Sequence, residues 1–152
     1  MTHFQQRRQA LRERLAQEEL AGLLLTNLTN VGYLSGFSGS AGELLLMADR
    51  ALLFVDFRYQ TQAAQQAPEC ERVDVDVEHW DTLIATLKDL NLPRLGFEGE
   101  HLPYNRYARL AGELGADRLV ATTKWVEEIR AVKYETELAL IRQAVALADR
   151  AI

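Results

Sequence analysis

Cysteine and histidine are scarce in this chain of 152 residues, which has one cysteine, Cys70, and three histidines, His3, His79 and His101. A single cysteine excludes an internal disulfide framework and agrees with a reducing compartment. Protein metal sites need clustered His, Asp, Glu or Cys side chains, and the histidines are far apart in the sequence. We therefore expect no intrinsic metal site in this chain.

The lone thiol is also a poor candidate for a nucleophile. Cys70 stands between Glu69 and Glu71. Neighbouring carboxylates raise the pKa of a thiol and keep it protonated. The sequence therefore predicts no catalytic cysteine.

An excess of basic residues and a long apolar run are both missing. The net charge of −5 and the pI near 5.2 argue against a general affinity for nucleic acid. No apolar run approaches the length needed to span a bilayer. The arginines near the start have no apolar segment behind them, so they are not a secretory signal. We expect a cytoplasmic protein with neither a nucleic-acid nor a membrane partner.

Apolar periodicity predicts strands that alternate with helices, which indicates an α/β sheet covered by helices on both faces. The strands at 43–47 and 51–55 are joined by only three residues, so we expect an antiparallel hairpin and a mixed sheet. Helices are predicted at 3–20, 58–66, 80–90, 104–114, from about 124, and at 135–152, with a short one through 33–34. Further strands are predicted at 22–26, 73–77, 95–98 and 118–121.

The last predicted helix has no stop signal. From Glu135 to Ile152 apolar residues recur at helical spacing, and no glycine, asparagine or proline ends the pattern. We expect the sequence to be the front part of a longer protein. The candidate domain boundary lies near 131–134.

A glycine-rich loop at 36–42 has three glycines spaced by three. Such loops can turn backbone N–H groups toward a phosphate, but no Gly-Lys-Ser/Thr follows, and the next element is a strand rather than a helix. The serines also miss the nucleophile-elbow pattern. The favoured interpretation is a tight connection in which Phe37 is either a core anchor or presented to a partner surface.

Two aspartate motifs have ordinary structural explanations. Asp56 follows an apolar strand, where it could cap the next helix, and Arg58 could reach a carboxylate with its planar fork. A cap with a local ion pair is the favoured reading of these residues alone. Asp74 and Asp76 alternate with valines and predict a solvated strand face.

Four segments, in order, resemble the N-terminal domain of the creatinase, prolidase and aminopeptidase P family. The likeness runs over essentially the whole chain, and its segments are NVGYLSGFSGSAG at 30–42, LFVDFRY at 53–59, LGFE at 95–98 and IRAVK at 129–133. The resemblance implies a three-layer α/β/α domain at 1–132, with a mixed, mostly parallel sheet of ribonuclease-H-like topology. It assigns 133–152 to the first helix of a pita-bread metallopeptidase domain.

In that family the second domain supplies two aspartates, one histidine and two glutamates, which hold two metal ions, usually manganese or cobalt. The ions activate the water that attacks the bond before proline. None of these ligands can be placed in this chain, so the resemblance implies no catalytic or metal-binding residue here. Tyr134 stands where relatives often have a capping Ser or Thr, and Glu135 and Glu137 can offset that loss through the helix dipole.

The resemblance implies an accessory domain, inactive alone, that packs on the catalytic domain, takes part in homodimer formation and walls the cleft for a proline-containing peptide. A cation suits the carboxylate of such a peptide. The expected substrate-binding residues are Arg58, Tyr59, Phe37 and Tyr33. Two alternatives stay open, a non-catalytic module that binds peptides or proteins, and the accessory domain of a creatinase-like amidinohydrolase.

Overall fold

The computed structural model describes residues 2–76 and 80–150. The strands are β1 (Gly22–Leu25), β2 (Glu43–Met47), β3 (Ala51–Asp56), β4 (Glu71–Val75), β5 (Leu95–Glu98) and β6 (Leu119–Thr122). The helices are α1 (His3–Gln17), α2 (Leu28–Ser35), α3 (Gln60–Gln66), α4 (Trp80–Leu90), α5 (Tyr104–Leu114), α6 (Trp125–Ala131) and α7 (Glu135–Arg150), with a short 3-10 helix at Ala116–Arg118.

The six strands form one sheet in the order β4-β3-β2-β1-β5-β6. β2 pairs antiparallel with β1 and β3, whereas β3/β4, β1/β5 and β5/β6 are parallel pairs. Five strands therefore run in one direction and β2 runs against them. The mixed sheet and the antiparallel hairpin, both predicted from the sequence, are confirmed.

Each face of the sheet has its own apolar core. Leu23 and Leu25 face the core covered by α1, α2, α3 and α6, and Leu24 faces the core covered by α4 and α5. Because both faces are buried, the central strands are continuous apolar runs rather than alternating ones. The predicted three-layer α/β/α arrangement is confirmed.

The turn after β3 differs from the prediction. The helix begins at Gln60 rather than 58, and its N-cap residue Tyr59 makes no side-chain cap bond. Asp56 lies too far upstream to cap it, and its carboxylate instead accepts the Arg58 backbone N–H at 2.9 Å. The predicted capping role of Asp56 was wrong, because the turn inserts residues between strand and helix.

The other edge of the sheet follows the prediction. Asp74 on β4 and Asp76 just after it are exposed, while Val75 between them is buried. The solvated strand face is confirmed as far as residue 76. Val77, the predicted end of that strand, and His79 lie outside the described residues.

α7 has no buried residue along its described length, 135–150. Its large apolar residues include Leu140, Ile141, Val145 and Leu147, which are exposed. At its start the carboxylate of Glu137 accepts the Tyr134 backbone N–H at 2.9 Å. This bond is the half of a capping box that the glutamate at the third helical position supplies; it satisfies the N–H of Tyr134 and adds to the expected dipole effect, but it does not accept the N–H that a Ser or Thr side chain would cap.

Within residues 2–76 and 80–150, no helix combines the length and the apolar character needed to cross a bilayer.

Candidate functional site

Several buried polar residues lie at one edge of the sheet. The five parallel strands end there, and β2, running the other way, begins there. In open α/β sheets ligands bind outside the carboxyl ends of the strands. We call this the carboxyl edge. Buried polar residues at or beside it are Thr26, Asn30, Glu43, Asp56, Glu98 and Thr122.

An arginine is held in a fixed orientation at the end of β3. The Asp56 side chain is 3% exposed, and its Oδ1 accepts hydrogen bonds from the Arg58 backbone N–H and from Nε at 2.9 and 3.0 Å. Oδ2 accepts from Nη2 at 2.7 Å. The hydrogen bonds to Asp56 and its charge raise the pKa of Arg58. The guanidinium is therefore charged and oriented, while 52% of the Arg58 side chain faces solvent.

Tyr59 connects this arginine to the glycine-rich loop. Its ring centroid lies 5.4 Å from Arg58 Cζ, and the Phe37 ring meets it edge-on at 5.8 Å. Its hydroxyl is 2.6 Å from Ser40 Oγ. Phe57, which precedes Arg58 in the sequence and was not among the expected residues, is 67% exposed. We call the group formed by Ser40, Phe57, Arg58 and Tyr59, together with the buried Asp56 that binds Arg58, the Arg58 surface.

The glycine-rich loop is built around the Phe37 side chain. Phe37 is 1% exposed. A Cβ at Gly39 would lie 2.1 Å from Phe37 Cζ, so any larger residue would displace a buried ring. The Ser38 backbone N–H and hydroxyl both donate to Gln66 Oε1, at 2.9 and 3.1 Å. The loop is thus a packed connection, in line with the favoured interpretation.

Three of the four expected substrate-binding residues come together. Arg58, Tyr59 and Phe37 are contiguous, but Phe37 is a core anchor that supports Tyr59, because its side chain is buried. Tyr33 lies apart, with its ring 3.9 Å from Arg7 Cζ and its hydroxyl 3.5 Å from the Ile129 carbonyl. Burial raises the pKa of Tyr33, an effect that Arg7 opposes.

A second polar cluster at the carboxyl edge was not found from the sequence. The carboxylate of Glu98, at the end of β5, is 9% exposed. It accepts the backbone N–H groups of Thr26 and Asn27 at 2.6 and 2.7 Å, and Asn30 Nδ2 at 2.6 Å. The only local signal was an acidic residue closing an apolar strand, as Asp56 does.

Asn30 extends this cluster to α6. It is fully buried; its Nδ2 also donates to Glu127 Oε1 at 2.6 Å, and its Oδ1 accepts from Arg130 at 3.0 Å. We call Thr26, Asn27, Asn30, Glu98, Glu127 and Arg130 the Asn30–Glu98 network. Its bonds join β1, β5, α2 and α6, so it fixes the helices around the carboxyl edge.

Cys70 behaves as the sequence predicted but for a different reason. The pKa of its thiol is raised chiefly by burial, opposed by Arg8, with Glu69 adding to the increase. The local carboxylates are thus the smaller cause.

The part of the chain that the structure describes contains no group of side chains that could bind a metal ion. Across 2–76 and 80–150 no three His, Cys, Asp or Glu side chains are grouped so that they could hold an ion. Glu98 already accepts three donors. These residues therefore do not fit a metal centre.

Similar proteins agree with this architecture. The family model described as Creatinase/Prolidase N-terminal domain matches residues 7–132. The "Uncharacterized peptidase YqhT" of Bacillus subtilis (strain 168) is 35% identical over 93% of this chain and 40% of its own length. The chain thus spans about two fifths of the length of the curated relatives it matches.

Two solved structures show the same fold. A Xaa-Pro dipeptidase from Bacillus anthracis superposes with a TM-score of 0.89 at 31% identity, over 97% of this chain and 41% of that one. The N-terminal domain of the cytoplasmic peptidase PepQ from Mycobacterium tuberculosis H37Rv gives 0.72 at 38% identity, over 80% of this chain and 96% of that one. The chain belongs to the creatinase/prolidase N-terminal domain family.

Proposed function

We propose that this chain is the accessory domain of a proline-specific peptidase and that the Arg58 surface forms part of the wall of its substrate cleft. The observation that supports this most is an arginine oriented by a buried aspartate yet half open to solvent. The names of its relatives, Xaa-Pro dipeptidase among them, indicate the substrate class.

The chemistry of the surface suits a short peptide that ends in proline. Nε and Nη2 of Arg58 are bound by Asp56, and the exposed part of the guanidinium is available to a substrate carboxylate. Tyr59 offers an apolar face beside it for a pyrrolidine ring, and the exposed ring of Phe57 precedes Arg58 in the chain. Asp56 holds the cation in place in advance, so little side-chain entropy is lost on binding.

The remaining parts of the proposal concern the longer protein. Residues 1–132 form the accessory domain, and 133–152 begin a metallopeptidase domain whose residues hold two manganese or cobalt ions. The accessory domain is inactive alone, the parent enzyme is a cytoplasmic homodimer, and neither nucleic acid nor membrane is a partner. Because the described residues form no metal centre, no step of the reaction is assigned to them.

The test compares two arginines in the longer protein. Arg58→Ala should raise KM for a Xaa-Pro dipeptide about tenfold or more while kcat changes little, because a charge-assisted contact is lost. For a substrate amidated at its carboxyl end, KM should be the same in Arg58→Ala as in the parent protein, because the carboxylate is absent. The matched control is Arg72→Ala, since Arg72 also pairs with an aspartate two residues away, Asp74 at 2.7 Å, but on the edge strand β4.

Unchanged KM in Arg58→Ala, or an equal change in Arg72→Ala, would contradict the cleft-wall role. If the longer protein binds the dipeptide without hydrolysing it, the non-catalytic binding module replaces the peptidase. Hydrolysis of creatine instead would favour the amidinohydrolase alternative.

A further inference from the structure

A buried arginine on α1 is enclosed by three aromatic rings. Arg7 is 8% exposed. Its Cζ lies 3.9 Å from the ring centroid of Tyr33, 5.4 Å from that of Tyr134 and 5.5 Å from that of Phe4. Guanidinium groups bind the faces of aromatic rings, and the attraction grows as water is removed. The ring of Tyr134 belongs to the segment that leads into α7.

The hydrogen bonds of Arg7 join the same elements. Nη1 donates to the Tyr33 carbonyl on α2 at 2.9 Å, and Nη2 donates to Glu137 Oε1 on α7 at 2.9 Å. Glu137 Oε2 in turn accepts the Tyr134 N–H at 2.9 Å. One side chain therefore holds the first turn of α7 to α1 and α2.

α7 has few other attachments. None of its described residues is buried, so its contact with the domain is concentrated at its start, where the His3 ring also lies 4.8 Å from Tyr134. Sixteen residues of helix extend about 24 Å, and a rotation of about 10° at the first turn would move the far end by about 4 Å. The direction of α7 is thus sensitive to the few bonds at its start.

We propose that Arg7 is a positioning residue that fixes the direction in which α7 leaves the α/β domain. What this positioning does in the longer protein rests on the proposed function. There α7 leads into the following domain, so Arg7 determines the position of the Arg58 surface relative to that domain. No local pattern indicates this role, because Arg7 lies 130 positions from Glu137.

The experiment measures the distance between α7 and the sheet domain in this 152-residue chain. Spin labels are placed at Ala144→Cys on α7 and Ala85→Cys on α4, both exposed positions, in a Cys70→Ala background. The labelled chain in which Arg7 and Glu137 are unchanged should give one narrow distance distribution by pulsed electron paramagnetic resonance. Arg7→Met and, separately, Glu137→Gln should at least double its width or shift its maximum.

Arg14→Met is the matched control on the same helix. Arg14 Cζ lies 4.6 Å from the ring centroid of Trp125, and its Nη1 lies 2.5 Å from Glu128 Oε2. Arg14 thus also combines an aromatic ring with a glutamate, but both partners belong to α6. The distance distribution of Arg14→Met should stay narrow. Circular dichroism verifies that each variant is folded, and if Arg7→Met does not fold, Glu137→Gln decides, because Glu137 is 32% exposed.

A narrow, unshifted distribution in folded Arg7→Met or in Glu137→Gln would overturn the proposal, as would equal broadening in Arg14→Met. The label distance needs no peptidase activity. Its outcome is therefore separate from the KM comparison of Arg58→Ala and Arg72→Ala, and either proposal can fail while the other stands.

Discussion

The two polar regions at the carboxyl edge use the same starting group and differ in what it holds. Asp56 ends β3, Glu98 ends β5, and within residues 2–76 and 80–150 each buried carboxylate accepts three hydrogen bonds from nitrogen donors. Two of these donors to Asp56 belong to a side chain that is half exposed, whereas those to Glu98 are backbone groups and a fully buried amide.

This difference separates the surface that we propose as a binding site from a network that joins β1, β5, α2 and α6. Hydrogen bonds to a buried carboxylate stabilise most when every donor is also withdrawn from water. Of the donors to Glu98, Thr26 and Asn30 are buried and Asn27 is half-buried, so the Asn30–Glu98 network comes close to that condition. The Arg58 surface does not, because 52% of the Arg58 side chain faces solvent.

Glu98→Ala should give the largest effect. It leaves the two backbone N–H groups of Thr26 and Asn27 without their acceptor and removes one of the two acceptors of the Asn30 amide, which we expect to lower the free energy of unfolding by about 3 kcal/mol. Urea denaturation measures the change. Glu100→Ala, at an exposed glutamate two positions on, should change stability by less than about 0.5 kcal/mol. Equal losses in both variants would contradict the distinction.

Asp56→Asn should have a smaller effect. The amide oxygen can still accept the Arg58 backbone N–H, but the ion pair is lost, so we expect about 1–2 kcal/mol of destabilisation. In the longer protein KM should also rise, because the guanidinium loses its orientation. The control is Asp74→Asn, whose carboxylate is 48% exposed in the Arg72 pair and should matter little to either measurement.

Tyr59→Phe removes only the hydroxyl that lies 2.6 Å from Ser40 Oγ. Since both residues are partly exposed, we expect a loss below about 1 kcal/mol. Amide hydrogen exchange over residues 38–42 should become faster, since the loop is less firmly held. Tyr104→Phe, at a tyrosine that is 82% exposed, should leave these amides unaffected. Unchanged exchange in Tyr59→Phe would mean that Phe37 and Gln66 hold the loop without the hydroxyl.

The Arg8–Glu69 pair extends the comparison to acid pH. Burial acts to raise the pKa of Glu69, but hydrogen bonds from Arg8 and Thr2 and the charge of Arg8 outweigh it and lower the pKa. A carboxylate whose pKa is lower in the folded than in the unfolded state stabilises the protein at pH values above the unfolded-state pKa. This stabilisation is lost as the pH falls through the folded-state pKa. Glu69→Gln should therefore be less stable than the parent at pH 7, with the difference shrinking below about pH 4. Urea denaturation across this range measures it, and a difference independent of pH would contradict the assignment.

Local elements were largely predictable from the sequence. The ranges 80–90, 95–98 and 104–114 agree with α4, β5 and α5, because each carries a clear apolar pattern bounded by turn residues. The hairpin followed from its short link. The full strand order was not predicted, since pairing between distant strands leaves no local periodicity.

The candidate site was predictable only where its residues are close in sequence or in a recognisable loop. Arg58 and Tyr59 are adjacent, and Phe37 was expected beside them. Tyr33 lies apart from them, against Arg7 and Ile129, because the direction of a residue on a short helix depends on what packs around it. The Asn30–Glu98 network was missed because its bonds join residues 68 and 97 positions apart.

The reversal of β2 has a consequence for how this domain could change. Because β2 runs against the other strands, the loop before it arrives among their carboxyl ends, and the β2–β3 turn at 48–50 lies at the opposite end of the sheet. An insertion at 48–50 would extend the protein away from the Arg58 surface, whereas one at 36–42 would reshape it. Changes at the two ends of the same hairpin would therefore differ in effect, because only those at 36–42 would alter the proposed binding surface.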